Sequence, residues 1–390
     1  MVEMPMAGGP ALPAATGTQR LVYDGTLFQL YEIYLLNLVL NIITIGIFRF
    51  WAKTRIRRYV WSHVSFQGDR LEYTGTGGEL FKGFLIVLGF VVAFGILQTV
   101  LQFAAGPDSP VAIVTQLAFL VFVIYLVLVA HYTAQNYRLT RTLWRGVRGG
   151  MTGSGWSYGI KALALSLLLP LSLGLAQPWV SAKLVNWRAN ASWFGSEKLR
   201  LDLRAGPLYA AFFVSLVVTI GLSALFVGAI TGAAYMAGWL DVQAFLDFVR
   251  EQADGAGSAP DDAQARIIVG VVGTAYLAIM VGFGFAYLLG WAFYVATFYR
   301  VTAGAAQFAN LRFASLARTG ALIGLWLGNA LIYIVTLGFG YPILVQRTLR
   351  FIARNLEIRG ELDGAALSQS TLARPRFGEG LLEAFDPGMF

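Results

Sequence analysis

The sequence predicts an all-α polytopic membrane protein with small β appendages and internal repeats. Of the 390 residues, 57% are hydrophobic and 13% are charged, whereas a soluble domain carries about 25% charged residues. Since about 20 apolar residues cross the hydrocarbon core of a bilayer as a helix, we expect four long spanning helices. They lie in four runs without Asp, Glu, Lys or Arg, at 84–107, 111–130, 207–240 and 267–299.

The internal repeat is a glycine-centred signature that occurs three times, each time after an apolar segment. When the copies are aligned on Gly46, Gly174 and Gly338, a cation stands nine residues on and an aromatic residue thirteen residues on. The cations are Arg55, Lys183 and Arg347, and the aromatic residues are Tyr59, Trp187 and Phe351. Each copy then continues into a short stretch with the period-two alternation of a β-strand.

The apolar segments are A1 (27–50), A2 (158–179) and A3 (319–343), and the long helices are B1 (81–105), C1 (111–137), B2 (207–239) and C2 (267–299). The predicted unit is A–β–B–C, present twice and followed by a final A–β. The division is a disordered tail over 1–19, repeat 1 over 20–148, repeat 2 over 149–310, a partial repeat 3 over 311–365 and a C-terminal tail over 366–390.

The distribution of charge predicts the orientation in the membrane. Every basic cluster flanks an A segment, whereas both B–C connections are neutral or acidic. Because Lys and Arg close to membrane segments favour the cytoplasmic side, we expect the basic collars in the cytoplasm and the loop 241–266 in the periplasm. A single crossing by A2 would separate its basic flanks, which a re-entrant segment avoids. Each A segment is nevertheless long enough to span, so both alternatives stay open.

Two sets of residues are candidates for function. Residues that could interrupt the A helices at the bilayer midplane would expose backbone carbonyls to a solute; they are Asn37, Asn41, Pro170 and Asn329. Residues of the basic collars could bind anionic lipid headgroups, at about 1 kcal/mol per cation; they are Trp51, Arg55, Arg58, Tyr59, Trp179, Lys183, Arg347 and Arg350. The first set favours transport or channel-like passage of a small solute, and the second a non-catalytic lipid-binding or scaffolding protein.

Enzymatic chemistry is not expected. The chain has no cysteine and two histidines, His63 and His131, which lie far apart in the sequence, so no metal or other cofactor is predicted. The glycines at 75–78 lack the Gly-Lys-Ser/Thr of a phosphate-binding loop. Nucleic acid is not an expected partner, because the cations flank membrane segments instead of sharing one soluble face. Membrane lipids are the expected partners, although collars of this kind also serve as ordinary topological anchors.

The first signature, TIGIFRFWAKTRIRRYVWSHVSFQGDRLEYTG at 44–75, resembles that of the YjgN-like family of bacterial inner-membrane proteins. The matching residues are Thr44, Gly46, Trp51, Ala52, Arg55, Arg58, Tyr59, Gly68 and Gly75. The stretch RTLWRGVR at 141–148 is similar to a second motif of that family, R-T-x-W-R-G-I-R. The third copy departs from the pattern, since Ile343 stands where the first two have Trp51 and Trp179. The resemblance implies a multipass inner-membrane location and a domain of unknown function, and it implies no activity.

Overall fold

The computed structural model describes residues 17–106, 109–239, 241–253, 262–362 and 367–369. The chain forms two compact units. The first contains the residues up to Leu203 together with 302–316 and those from Leu327 onward, and the second contains 204–301 and 317–326. The predicted repeat boundaries at residues 148 and 310 do not coincide with the limits of these two units. Residue 148 lies within a strand, and residue 310 lies within a hairpin turn.

The helices are α1 Leu27–Ile43, α2 Arg49–Ser62, α3 Gly77–Ala105, α4 Pro110–Arg141, α5 Gly155–Ser166, α6 Leu168–Leu171, α7 Gln177–Ala191, α8 Gly206–Met236, α9 Val242–Ala253, α10 Asp262–Leu277, α11 Gly284–Ala305, α12 Thr319–Val335 and α13 Tyr341–Asn355. A π-helical turn, Ala278–Phe283, joins α10 to α11. Among the described residues, four helices are long and apolar enough to cross a membrane: α3, α4, α8 and the continuous helix Gln264–Ala305. They lie where the four charge-free runs predicted them.

The strands are β1 Thr18–Arg20, β2 Val22–Tyr23, β3 Val64–Phe66, β4 Asp69–Tyr73, β5 Thr142–Trp144, β6 Val147–Met151, β7 Ser192–Phe194, β8 Glu197–Leu201, β9 Ala306–Phe308, β10 Leu311–Ser315 and β11 Leu356–Arg359. They form one antiparallel sheet in the order β1-β11-β10-β9-β8-β7-β6-β5-β4-β3-β2. Its two edge strands, β1 and β2, are separated in the chain by Leu21 alone, so the sheet closes into a ring. The small separate β appendages predicted from the sequence are therefore parts of a single 11-stranded sheet.

The interior of the ring is the largest apolar cluster of the first unit. Alternate residues of the strands point inward, as the period of two requires, and most of them are aromatic or aliphatic. The buried members are Phe66, Trp144, Val147, Phe308, Leu311, Ile358, Leu362 and Leu367. Trp144 is 3% exposed and donates its indole N–H to the carbonyl oxygen of Phe66 at 3.2 Å. The ring is consequently a packed structural centre and not a loose collection of hairpins.

Each A segment, together with its collar, leaves the ring and returns to the neighbouring strand. The first such segment is α1–α2, whose flanking residues Tyr23 and Val64 are directly paired in the sheet. The flanks of α5–α7 and α12–α13 are paired in the same way, at Met151↔Ser192 and Ser315↔Leu356. The collar is therefore the returning arm of a helical hairpin, which neither predicted alternative included. We name these the first, second and third A hairpins.

The three A hairpins turn through the same local structure. In each turn a hydroxyl residue is followed by two residues with left-handed backbone angles. These are Ile45-Gly46 (φ 49° and 82°), Leu173-Gly174 (φ 51° and 84°) and Leu337-Gly338 (φ 48° and 88°). In the first turn the Thr44 hydroxyl donates to the Leu40 carbonyl at 2.7 Å and accepts from the Phe48 N–H at 2.9 Å. Ser172 and Thr336 make equivalent pairs of bonds.

The helix breaks therefore do not lie at the residues predicted to interrupt the A segments. Asn37 and Asn41 are inside α1, and Asn329 is inside α12. Pro170 lies in α6, one turn after a single-residue break at Leu167 and just before the left-handed turn. An asparagine in a helix interior costs well under 1 kcal/mol, whereas a left-handed glycine ends a helix. The glycines on which the three copies align are the residues that turn the chain.

The first A hairpin is short relative to the spanning helices. Trp51 packs against Gly77, the first residue of α3, so closely that a Cβ on that glycine would lie 2.6 Å from the indole ring. Further toward the turn, the Phe50 ring lies 5.1 Å from the Phe84 ring and the Arg49 guanidinium 5.0 Å from it. Phe84 begins the charge-free run of α3. The side-chain amide of Asn37 donates to the carbonyl oxygen of Ala52, the residue after Trp51. Asn37 is thus level with the start of α3 and not with its middle.

The hairpin geometry can be tested with paired cysteines, because the chain contains none of its own. Opposite residues of antiparallel strands have Cα atoms about 4.5–5.5 Å apart, within the range that a disulfide bridges. We expect Met151→Cys with Ser192→Cys to form a disulfide under mild oxidation. The control is Met151→Cys with Phe194→Cys, because Phe194 pairs with Gly149 and lies about 7 Å further along the strand. A cross-linked control, or a free thiol pair at 151 and 192, would contradict the hairpin.

Candidate functional site

A groove along the first A hairpin brings together three of the predicted collar residues. It is formed by Ile33 and Leu36 of α1 and by Arg55, Arg58, Tyr59 and Ser62 of α2, and its volume is about 400 Å³. Arg55 and Arg58 are three residues apart on a helix, so their side chains are neighbours on one face. One wall of the groove is thus apolar, and the other carries two guanidinium groups and two hydroxyls. We call it the α1–α2 groove.

Both arginines of the α1–α2 groove are exposed but positioned. The guanidinium of Arg58 donates to the carbonyl oxygen of Gly75 at 3.3 Å, which holds the side chain beside the entry to α3. The guanidinium of Arg55 lies over the ring of Phe48, 5.0 Å from its centroid. Each contact orients a cation while leaving other N–H groups for a ligand, and a planar guanidinium matches phosphate oxygens in a bidentate fashion.

Tyr59 anchors the base of the groove. Its hydroxyl accepts a hydrogen bond from the Thr26 N–H at 2.8 Å and donates to the Thr26 carbonyl at 2.9 Å, so it joins the end of α2 to the start of α1. Tyr23, nearby in β2, is largely enclosed: burial raises its pKa to about 12, Tyr59 acts in the same direction, and Arg350 opposes the shift. Burial therefore favours the protonated form of this phenol.

The opposite face of α2 contains two buried cations, which are not among the predicted collar residues. Arg57 is fully buried, and Lys53 is 6% exposed. Arg57 donates to the hydroxyl of Tyr73 at 3.4 Å, and its guanidinium lies 5.9 Å from the centre of that ring. The helical period of 3.6 residues explains why some of these cations are buried and others exposed. Arg57 lies on the inward face of α2 with Phe50 and Val60, whereas Arg55 and Arg58 point away from it. The basic run of α2 thus divides into a structural half and an exposed half.

In the third A hairpin, the structure brings together one residue from each predicted set. The Arg347 Nε donates to Asn329 Oδ1 at 3.1 Å, and Asn329 Nδ2 donates to the Thr348 hydroxyl at 3.3 Å. Gly328 makes room for the guanidinium, since a Cβ there would lie 2.4 Å from an Arg347 nitrogen. Asn329 therefore cross-links the two arms of the hairpin. In the second A hairpin, Lys183 lies 5.9 Å from the Trp179 ring, and both side chains are exposed.

The eight predicted collar residues are thus distributed over three hairpins, and the α1–α2 groove unites three of them: Arg55, Arg58 and Tyr59. Trp51 belongs to the packing against Gly77. Trp179 and Lys183 lie on α7, and Arg347 and Arg350 lie on α13. Among the described residues, no group of three or more His, Asp or Glu side chains could hold a metal ion.

A second concave site lies inside the ring. A cavity of about 340 Å³ is lined by side chains from most of the strands, among them Phe66, Leu71, Trp144, Phe308 and Phe313. No lining residue is charged. The sequence analysis missed this site completely. The alternation within single strands was visible, but the pairing of hairpins that are far apart in the chain is not encoded in any local pattern.

Comparison with known proteins identifies the family. A family model described as "Bacterial protein of unknown function (DUF898)" matches residues 18–384. The chain belongs to this family. It is 28% identical over 172 residues to the inner membrane protein YjgN of Escherichia coli O157:H7 and to that of Escherichia coli (strain K12), which covers 44% of this chain and 40% of each relative. It is 32% identical over 79 residues to the inner membrane protein YjgN of Salmonella typhimurium, 20% of each chain.

The YjgN-like resemblance seen in the sequence is therefore confirmed, and each match spans less than half the length of these relatives. No solved structure matches this chain. The inner-membrane relatives and the four long apolar helices together show a multipass protein of the bacterial inner membrane. None of these relatives' names states an activity.

The Asn329 cross-link can be tested by substitution. Asn329→Leu removes the acceptor of Arg347 and the donor to Thr348, so we expect a loss of about 1–3 kcal/mol in the free energy of unfolding. The matched control is Asn41→Leu, because Asn41 Oδ1 accepts no hydrogen bond from the described residues; its expected effect is within about 0.5 kcal/mol of zero. Thermal unfolding in detergent measures both. Equal losses for the two variants would show that Asn329 does not join the hairpin arms.

Proposed function

We propose that this protein binds anionic phospholipid headgroups at the α1–α2 groove, as a non-catalytic module of the inner membrane. The observation that carries the proposal is the composition of that groove. Two oriented guanidinium groups lie opposite an apolar wall formed by Ile33 and Leu36. The hydroxyls of Tyr59 and Ser62 complete the groove and are bonded to the Thr26 backbone and to the Tyr59 carbonyl. A phosphate with an attached glycerol and acyl chain requires this combination, because the charged and the apolar parts of one molecule must be satisfied side by side.

The level of the groove along the molecule supports the proposal. Arg58 bonds to the carbonyl oxygen of Gly75, two residues before α3 begins, and the charge-free run of α3 begins nine residues after Gly75. The groove thus lies beside the polar start of a spanning helix, where headgroups are found. Each cation close to an anionic membrane surface contributes about 1 kcal/mol.

We further propose that the three A hairpins enter the membrane from the cytoplasmic face and return to it. The exposed apolar residues at their turns support this orientation, since Ile45 is 93% exposed, Leu173 92% and Leu337 85%. Isolated apolar side chains at the end of a hairpin gain free energy in the acyl region of a bilayer. Because Lys and Arg close to membrane segments favour the cytoplasmic side, we propose that the basic returning arms lie toward the cytoplasm and the loop 241–266 in the periplasm.

Passage of a small solute, the other function considered from the sequence, has less support. It requires backbone carbonyls that an interrupted helix presents at the midplane. In the first turn the carbonyl oxygens of Asn41 and Ile42 accept from the N–H groups of Gly46 and Ile45, and Asn37 is level with the start of α3. Two of the four residues on which the transport hypothesis depended, Asn37 and Asn329, instead bond to the opposite arm of their own hairpin.

The headgroup site can be tested with the double variant R55Q/R58Q. We expect it to weaken the binding of phosphatidylglycerol by about 2 kcal/mol, or roughly thirtyfold, because two cations are lost. Native mass spectrometry of the full chain, titrated with phosphatidylglycerol and with phosphatidylcholine, measures the change. The control K161Q/R250Q removes two exposed cations outside the groove and should bind as the unmodified chain does. Equal weakening in both variants would mean that net charge, and not the groove, attracts the lipid.

The orientation can be tested with single cysteines and a membrane-impermeant maleimide. Ile45→Cys, Leu173→Cys and Leu337→Cys should react from neither side, because a thiol in hydrocarbon stays protonated and inaccessible. Ser196→Cys, at a hairpin turn of the ring, should react only in inverted vesicles, and Gln243→Cys only in intact spheroplasts. Reaction of Ser196→Cys from the periplasmic side would overturn the orientation, and reaction of the turn cysteines would show that the hairpins lie outside the lipid.

A further inference from the structure

The cavity inside the ring has a predominantly apolar lining. The indole N–H of Trp144 is bonded to the Phe66 carbonyl, and the hydroxyl of Ser192 donates to the Arg188 carbonyl at 2.9 Å. Trp193 also lines the cavity, and its indole N–H has no hydrogen-bond partner among the described residues. The other lining side chains are aromatic or aliphatic. A buried water needs two to four polar partners, which these groups do not offer, whereas an alkyl chain gains from contact with every wall.

The dimensions of the ring explain why a cavity exists there at all. A closed sheet of eight strands is just wide enough for its own side chains to fill, and the diameter grows with the number of strands. Eleven strands therefore enclose more space than their inward side chains occupy, even with five large side chains at Phe66, Trp144, Phe194, Phe308 and Phe313. The remaining volume of about 340 Å³ is at the lower end of the range for small-molecule sites. A cavity of this size suits one alkyl chain and not two.

The cavity is covered at the end of the ring that carries the hairpin turns. Leu362 and Leu367 pack into the interior cluster from this end. Gln369 holds the same segment in place, because its side chain donates to the Gly146 carbonyl at 2.9 Å and accepts from the Arg148 N–H at 3.1 Å. A cavity covered in this way receives the end of a chain and is unsuited to passage of a solute.

The charge of the ring indicates the polar end of the occupant. The strands and their hairpin turns carry eight cations, Arg20, Arg70, Arg145, Arg148, Lys198, Arg200, Arg312 and Arg359, against four anions, Asp69, Glu72, Glu197 and Glu357. Even after the pairing of Arg145 with Asp69 and of Arg20 with Glu357, the ring is a net positive body around an apolar interior. An amphiphile with one negative charge complements it.

We propose that the ring binds the alkyl chain of a fatty acid, with the carboxylate held among the cations around the ring. This site is distinct from the α1–α2 groove and does not depend on it. A phospholipid would have to leave its second chain outside the cavity, so we assign the site to a single-chain anionic lipid.

The test is photo-cross-linking of the full chain in detergent with a long-chain fatty acid that carries a diazirine at its methyl end. Peptide mapping should show saturable labelling of strand peptides that contain Phe66, Trp144 or Phe308, and unlabelled fatty acid should compete. Leu71→Trp fills the cavity and should reduce this labelling at least tenfold. The matched control is Glu72→Trp, which places the same side chain on the exposed face of the same strand and should leave the labelling unchanged.

Leu199→Trp provides a second filling variant from β8, in case the change in β4 prevents folding. Labelling confined to the spanning helices, or strand labelling that neither filling variant reduces, would overturn the proposal. The proposal would also be overturned if phosphatidylglycerol, but not unlabelled fatty acid, competed with the labelling of the strand peptides. The variant R55Q/R58Q keeps the ring intact and should label as the unmodified chain does, so failure of the headgroup site and failure of the ring site are separate results.

Discussion

The fold depends on the closure of the sheet across Leu21. β1 pairs with β11 at the far end of the chain, and β2 pairs with β3, so one residue joins the two edges of an 11-stranded sheet. The guanidinium of Arg20 donates to Glu357 at 2.9 Å, and this hydrogen bond holds the pKa of that carboxyl below its ordinary value. Within this sheet every A hairpin begins and ends on directly paired strands, so those pairings determine where each hairpin returns.

A chain that turns inside or close to lipid must satisfy its backbone groups locally. The A hairpins do so with one hydroxyl residue, which accepts a hydrogen bond from the N–H four residues later and donates to a carbonyl of the preceding helix. The left-handed glycine that follows is required by geometry, since φ near 85° is strained for any other residue. A hydroxyl residue, an Ile or Leu and a glycine thus form a tight turn in all three hairpins, and the Ile or Leu is its most exposed side chain.

The sequence was sufficient to predict the four long helices, because a run of 20 or more residues without charge is explained by a helix that spans the membrane. It was also sufficient to align the three turns on Gly46, Gly174 and Gly338. The common origin of the three copies stays a prediction. The sequence was not sufficient for the role of the first collar, since its basic run predicts an exposed surface, whereas the packing of α2 within the first unit buries Lys53 and Arg57. The ring could not be predicted because pairings such as Leu71 with Trp144, Leu199 with Phe308 and Thr18 with Arg359 join strands that are far apart in the chain.

The charged residue next to the first turn determines how deep that hairpin can lie. An arginine at the centre of a bilayer is unfavourable by several kcal/mol, whereas one at the boundary extends its guanidinium toward the headgroups. Arg49 is the first residue of the returning arm and contacts Phe84, where the charge-free part of α3 begins. A hairpin that reached the midplane would carry Arg49 there with it. In the orientation proposed above, a shallow hairpin would instead leave the cation at the boundary, insert Ile45 into the acyl region, and keep Arg55 and Arg58 on the polar side, where a phosphate could meet them.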